Sequence, residues 1–106
     1  MKALVLHAVG DLRYEEVPRP KPGAGEVLLR VAYCGVCGSD FPRIFSKGTY
    51  RFPLIPGHEF AGVVEECGEG VTDFAPGDRV AVFPLLGVDG APPASGAGTC
   101  SASATT

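Results

Sequence analysis

Glycine and proline recur so closely along this chain that long helices have little room to form. There are 15 Gly and 10 Pro in 106 residues. Both residues punctuate local structure, so the expected architecture is a set of short strands joined by turns. Lys2 to Ala8 is expected to be a strand, and Leu12 to Val17 its hairpin partner, with Gly10-Asp11 as the turn. Pro18, Pro20 and Pro22, with Gly23 and Gly25, make Pro18 to Gly25 a loop. From Glu26 to Tyr33 the pattern alternates. Val27, Leu29, Val31 and Tyr33 fall on one face, with Leu28 and Ala32 flanking Arg30 on the other, which predicts a half-buried strand. Ser39 to Phe45 is expected to give one short helix, held to its first turn by Pro42. Glu59 to Glu66 and Asp78 to Phe83 complete the strands. The fold class is therefore mainly β, a small barrel or sandwich.

The length suits one small domain. An apolar fraction of 45% is that of an ordinary globular chain. A net charge of -3 argues against nucleic acid and anionic membrane as partners. No apolar run reaches the length of a membrane span. The first residues lack a small-residue cleavage pattern, so a cytoplasmic location is expected. The cysteines are Cys34, Cys37, Cys67 and Cys100, and nothing in the sequence suggests a disulfide framework. From Gly87 to Thr106 nearly every residue is Gly, Ala, Pro, Ser or Thr. Such a segment buries too little surface to offset its ordering entropy and is expected to be disordered.

Cys37 and His58 carry the chemistry. Thiolate and imidazole are preferred zinc ligands, although by residue type alone a buried Cys and a surface His are the more ordinary reading. Their setting is more specific. Cys34-Gly35-Val36-Cys37-Gly38-Ser39-Asp40 comes first, then the pattern G-H-E-x2-G-x5-G-x2-V from Gly57 through Gly62 and Gly68 to Val71, then Gly77-Asp78-Arg79-Val80. In this order the three motifs resemble the N-terminal, GroES-like domain of zinc-dependent medium-chain alcohol dehydrogenases, over about residues 1–86. The resemblance implies a GroES-like, partly open β-barrel. It implies Zn²⁺ held by Cys37 and His58, with Ser39 taking the alcohol's proton and Asp40 orienting the His ligand. Glu59 matches a conserved Glu near the metal. Neighbours in an extended segment point apart, so Glu59 is expected to support the site or alternate as a ligand rather than bind jointly with His58. Cys34 and Cys67 are expected to be packed, and His7 to lie at the surface.

The reaction implied is oxidation of an alcohol or sugar alcohol, with hydride passing to NAD or NADP. The run Cys-Gly-Ser-Asp-x-Pro-Arg-Ile-Phe, with Gly57-His58-Glu59-Phe60, looks most like galactitol-phosphate dehydrogenases and their polyol relatives, so phosphorylated substrates are included. Arg43 either holds an anionic substrate group or is a solvated Arg on the helix surface. Phe41-Pro42 stands where many members continue the proton relay with His. The dinucleotide-binding domain is expected to be absent from residues 1–106, since no G-x-G-x-x-G follows a strand. The chain is thus expected to be a fragment, inactive alone, of a parent that is a homo-oligomer.

The tail lacks the four-thiolate zinc lobe common in this family. Read two bases out of frame, the junctions Gly87/Val88, Gly90/Ala91, Pro93/Ala94 and Ser101/Ala102 each permit a Cys codon, in the lobe's spacing Cys-x2-Cys-x2-Cys-x7-Cys. A frameshift near Leu86 is the expectation; an Ala-rich tail also supplies such junctions by chance. Two other function classes stay open: a zinc-free quinone-reductase-type fragment, and a non-catalytic barrel that binds zinc or a partner.

Overall fold

The computed structural model describes residues 1–82, 84 and 101–105. Two open sheets and one short helix make up this part of the chain. Strands β1 (Lys2–Ala8) and β2 (Asp11–Glu16) form an antiparallel hairpin. Its turn is Val9-Gly10, one residue earlier than the sequence suggests, because the register slips at His7 between the pairs Leu6↔Leu12 and Ala8↔Asp11. Such a bulge adds a residue to one strand and turns the neighbouring side chains to a new direction. Ala3, Val5 and Leu6 are buried, and Leu6 bonds both ways to Leu54, N–H to O at 2.7 Å and O to N–H at 3.0 Å. The hairpin thereby anchors the long loop that leads into residue 59.

The second sheet runs β5 (Arg79–Ala81), β4 (Glu59–Cys67), β3 (Glu26–Gly35), β6 (Ser101–Thr105). The first three are antiparallel, and β6 lies parallel to β3. Val27 and Leu29 of β3 and Val64 of β4 are the buried centre, with Phe60, Cys67, Val71, Phe74, Val80 and Val82 packed against them. Burying a residue such as Leu29 stabilises the fold by about 1.5–3 kcal/mol. The alternation expected along β3 fails at both ends of the strand. Leu28, on the opposite face, is also fully buried, whereas Tyr33 is 81% exposed. The strand runs on past the core: Ala32 to Gly35 are all exposed, and Ala32 is an extra residue between the pairs Val31↔Gly62 and Tyr33↔Ala61. Cys34 is accordingly exposed rather than packed.

The motif glycines have a packing cause. A Cβ on Gly62 would run into the carbonyl oxygen of Arg30, and one on Gly68 into that of Gly23. Both obstacles are backbone, so β4 can lie against β3 and the loop before it only where side chains are missing. The Gly77-Asp78 turn is pinned to β4, with Val64 N–H donating to Asp78 O at 2.8 Å and Gly77 N–H to Val64 O at 2.8 Å. This delivers Arg79 to the sheet as β5. The composition of Ser101–Thr105 predicts a structureless segment. These residues instead take the free edge of β3, whose N–H and C=O groups would otherwise go unpaired. Phe83 and residues 85–100 and 106 lie outside the described residues, and with them most of the expected tail and its frameshift. No helix among the described residues is long and apolar enough to cross a membrane.

Candidate metal centre

Three chain segments meet at the exposed end of β3. The turn after β3 carries Cys37; the helix α1 (Asp40–Phe45) follows it; and the segment entering β4 carries His58 and Glu59. Asp40 is the buried polar residue that joins them, at 5% exposure. Its Oδ2 accepts the Cys37 backbone N–H at 2.8 Å, and the Asp40 N–H in turn donates to Cys37 O at 3.0 Å. Its Oδ1 faces His58 Nδ1 at 3.4 Å. A carboxylate so deeply placed needs such partners to offset its lost hydration. Facing Nδ1 toward Asp40 leaves Nε2 as the free ring nitrogen, on the side of Glu59, whose Oε1 lies 4.0 Å away.

One ligand atom each from Cys37, His58 and Glu59 lies within 4.8 Å of the others. Thiolate, imidazole and carboxylate around one centre suit the three-ligand arrangement of catalytic zinc. The donor set thus fits the metal that the sequence suggests. Glu59 differs from the expectation that it would point away from His58. The alternation rule presumes that both residues are extended, but β4 begins only at Glu59, and Gly57 before it takes φ 131°, a region side chains disfavour. His58 is therefore turned independently of the strand. Glu59 pairs with Gly35 across the sheet, and its Oε2 lies only 3.3 Å from where a Gly35 Cβ would be. Gly35 is a part of the site that residue chemistry alone does not single out; its signal is its place inside the Cys-rich turn.

Ser39 is the N-cap residue of α1, yet its side chain makes no capping hydrogen bond, so its hydroxyl is uncommitted to the helix. Ser39 and Arg43 both line a cleft of about 700 Å³. The remaining chemical residues stand apart. His7 Nε2 is 2.7 Å from Glu15 Oε1 on the hairpin. The Cys67 thiol packs near the core and approaches Phe74 O at 3.5 Å.

Residues 23–105 match the model of the alcohol dehydrogenase GroES-like domain. The chain belongs to that family, and its open β-sheets with one short helix are a GroES-like domain. Among particular relatives, it is 44% identical over 87 residues to galactitol 1-phosphate 5-dehydrogenase of Escherichia coli K12, covering 81% of this chain and 25% of that protein. It is 46% identical over 87 residues to human sorbitol dehydrogenase, covering 77% and 24%. A cobalt- and zinc-bound thermostable alcohol dehydrogenase from Pyrobaculum aerophilum superposes with TM-score 0.74 at 44% identity, over 78% of this chain and 26% of that one. The chain thus spans about a quarter of the length of the curated relatives it matches.

Proposed function

We propose that this chain is the metal- and substrate-bearing domain of a zinc-dependent alcohol or polyol dehydrogenase whose NAD or NADP is bound mainly by a further domain. The observation that carries this reading is the approach of Cys37, His58 and Glu59 ligand atoms within 4.8 Å of one another, with Asp40 behind the imidazole. Cys37, His58 and Glu59 would hold the ion. Zinc bound there supplies Lewis acidity toward an alcohol oxygen, and the nicotinamide supplies the hydride acceptor. The chain's own residues do the rest. Asp40 fixes the His58 ring and the Cys37 turn together, so that the two donors keep a common aim. Ser39, on the same turn and free of capping duty, accepts the substrate's hydroxyl proton and passes it toward solvent through the open cleft. On this reading residues 1–106 do not turn over alcohol alone, because the sequence carries no G-x-G-x-x-G motif after a strand to hold the hydride acceptor. A cytoplasmic, homo-oligomeric parent enzyme is part of the same proposal. The tail from Gly87 is read as an out-of-frame replacement of a zinc lobe, supported by the codon junctions alone.

Metal analysis of the purified chain tests the centre. Stoichiometric zinc is expected, lost in Cys37→Ser and His58→Ala. A chain that neither retains zinc nor takes it up on titration would overturn the reading in favour of a zinc-free oxidoreductase fragment. Zinc binding without turnover, after the downstream frame is restored and a dinucleotide domain follows, would instead identify a non-catalytic zinc module.

A further inference from the structure

The cleft that holds Ser39 also holds three cations for which proton transfer has no use. Arg43, Lys47 and Arg51 all line it. Residues 41–58 contain no Asp or Glu, although the whole chain has 12 acidic residues against 9 Lys and Arg. Several cations elsewhere are matched: Lys2 to Glu16, Arg13 to Asp11 and Arg19 to Glu65. Among the described residues no ion pair engages Arg43, Lys47 or Arg51. The nearest acid in sequence, Asp40, is buried and directed at His58 and the Cys37 N–H, so it does not neutralise them.

The backbone keeps these cations together. Ser46 and Lys47 N–H groups both donate to Pro42 O, at 3.1 and 2.6 Å, which folds the end of α1 back on itself. The Thr49 hydroxyl donates to Arg51 O at 2.7 Å, closing the next turn. The Leu6–Leu54 bonds then fasten the far end of the loop to β1. Three like charges confined to one cleft repel one another unless an anion joins them. Two guanidinium groups and an ammonium are the donors that suit a phosphate, the first through paired N–H bonds and the second as a point charge.

We propose that Arg43, Lys47 and Arg51 form a phosphate subsite that selects phosphorylated polyols, holding the phosphate while the hydroxyl to be oxidised reaches Ser39. This rests on the dehydrogenase reading above and adds its substrate class. A cleft of about 700 Å³ lies within the range of about 300–1,000 Å³ typical of small-molecule sites. A phosphate could also arrive on the dinucleotide, so the test separates the two sources.

The ¹⁵N-labelled chain is titrated with a hexitol phosphate, the same hexitol without phosphate, and ADP-ribose, with zinc content measured in parallel. The hexitol phosphate is expected to shift the resonances of Arg43, Lys47 and Arg51 and to bind at least about tenfold more tightly than the plain hexitol. All three residues are exposed, so the triple variant Arg43→Gln, Lys47→Gln, Arg51→Gln should fold, lose that preference and keep its zinc. Equal affinity of the native chain for the two hexitols would overturn the subsite, as would tighter binding of ADP-ribose to the same three cations. Neither result touches the metal reading if zinc is retained. Absence of zinc uptake would refute the metal reading and leave the phosphate preference to be judged on its own titration.

Discussion

Asp40 shows how one short side chain can set the geometry of two others. It accepts the N–H of the Cys37 turn and faces the ring nitrogen of His58 that points away from Glu59. Groups that hold a metal-binding His in this way tune affinity without touching the ion. Asp40→Asn keeps an acceptor for the Cys37 N–H and removes the charge facing Nδ1. It should weaken zinc binding about 10–100-fold, measured by competition with a chromophoric chelator; unchanged affinity would strip Asp40 of its positioning role. Ser39 makes the complementary case. An N-cap serine replaced by Ala usually costs about 0.5–2 kcal/mol, but this hydroxyl makes no cap bond. Ser39→Ala should therefore leave the unfolding free energy within about 0.5 kcal/mol of the parent, in denaturant titration, while removing the proposed proton acceptor. Cys37, His58, Ser39 and Asp40 enter through the family resemblance that their motifs carry, and the fold brings Cys37, His58 and Asp40 together. The joint position of His58 and Glu59 was not legible in the sequence, because it depends on where β4 starts and on the backbone of Gly57.

At the level of elements, pairing between strands depends on residues that contribute no side chain. Gly62 sits against the Arg30 carbonyl and the Cα of Val31, so the closest approach of β3 and β4 is backbone on backbone. Gly62→Ala has no flexible neighbour to push aside. It should destabilise the domain by about 1–3 kcal/mol, the usual range for overpacking, read as a lower denaturation midpoint at unchanged denaturant slope. A wild-type midpoint would mean that β3 and β4 can separate at this point without loss. The hairpin β1–β2 has an electrostatic fastening at its open end. Glu16 Oε2 lies 3.0 Å from Lys2 Nζ, and Oε1 lies 3.0 Å from the amino terminus. Lys2, and then the terminal ammonium, hold the Glu16 carboxyl below its ordinary value of 4.5. A depressed carboxyl contributes stability above the ordinary value and loses it as pH falls through the lower folded value. The contribution is small because the groups are exposed and screened by salt. Glu16→Gln should melt slightly below the native chain at neutral pH, and the two midpoints should converge in acid; a gap that persists into acid would assign the effect to something other than charge.

Across the whole molecule, the sequence pattern was most reliable where the strands are paired and least reliable beyond the core. The hairpin and strands β3 to β5 were visible in alternation and turn residues. The exposure of Tyr33 and Cys34 was not, because a strand's pattern does not say where its neighbours stop. Nor was β6, whose sequence carries no large apolar residue and which pairs because β3 has an edge to offer. The metal centre lies just where pairing ends, and this couples it to stability. Cys37, α1 and the His58 segment are joined mainly by Asp40, while the hydrophobic cluster lies at the other end of β3 and β4. An ion held jointly by Cys37, His58 and Glu59 would cross-link these segments and bind the folded chain far better than the unfolded one. Binding of this kind raises stability by RT ln(1 + [L]/Kd), about 2.7 kcal/mol at a free concentration a hundredfold above Kd. Removing zinc with a chelator should therefore lower the melting temperature, and added zinc should restore it in proportion to the logarithm of its free concentration. Cys37→Ser should melt near the chelated value and no longer respond to either treatment. A native chain whose melting temperature ignores both chelator and zinc would show that the three donor atoms, close as they are, hold nothing together.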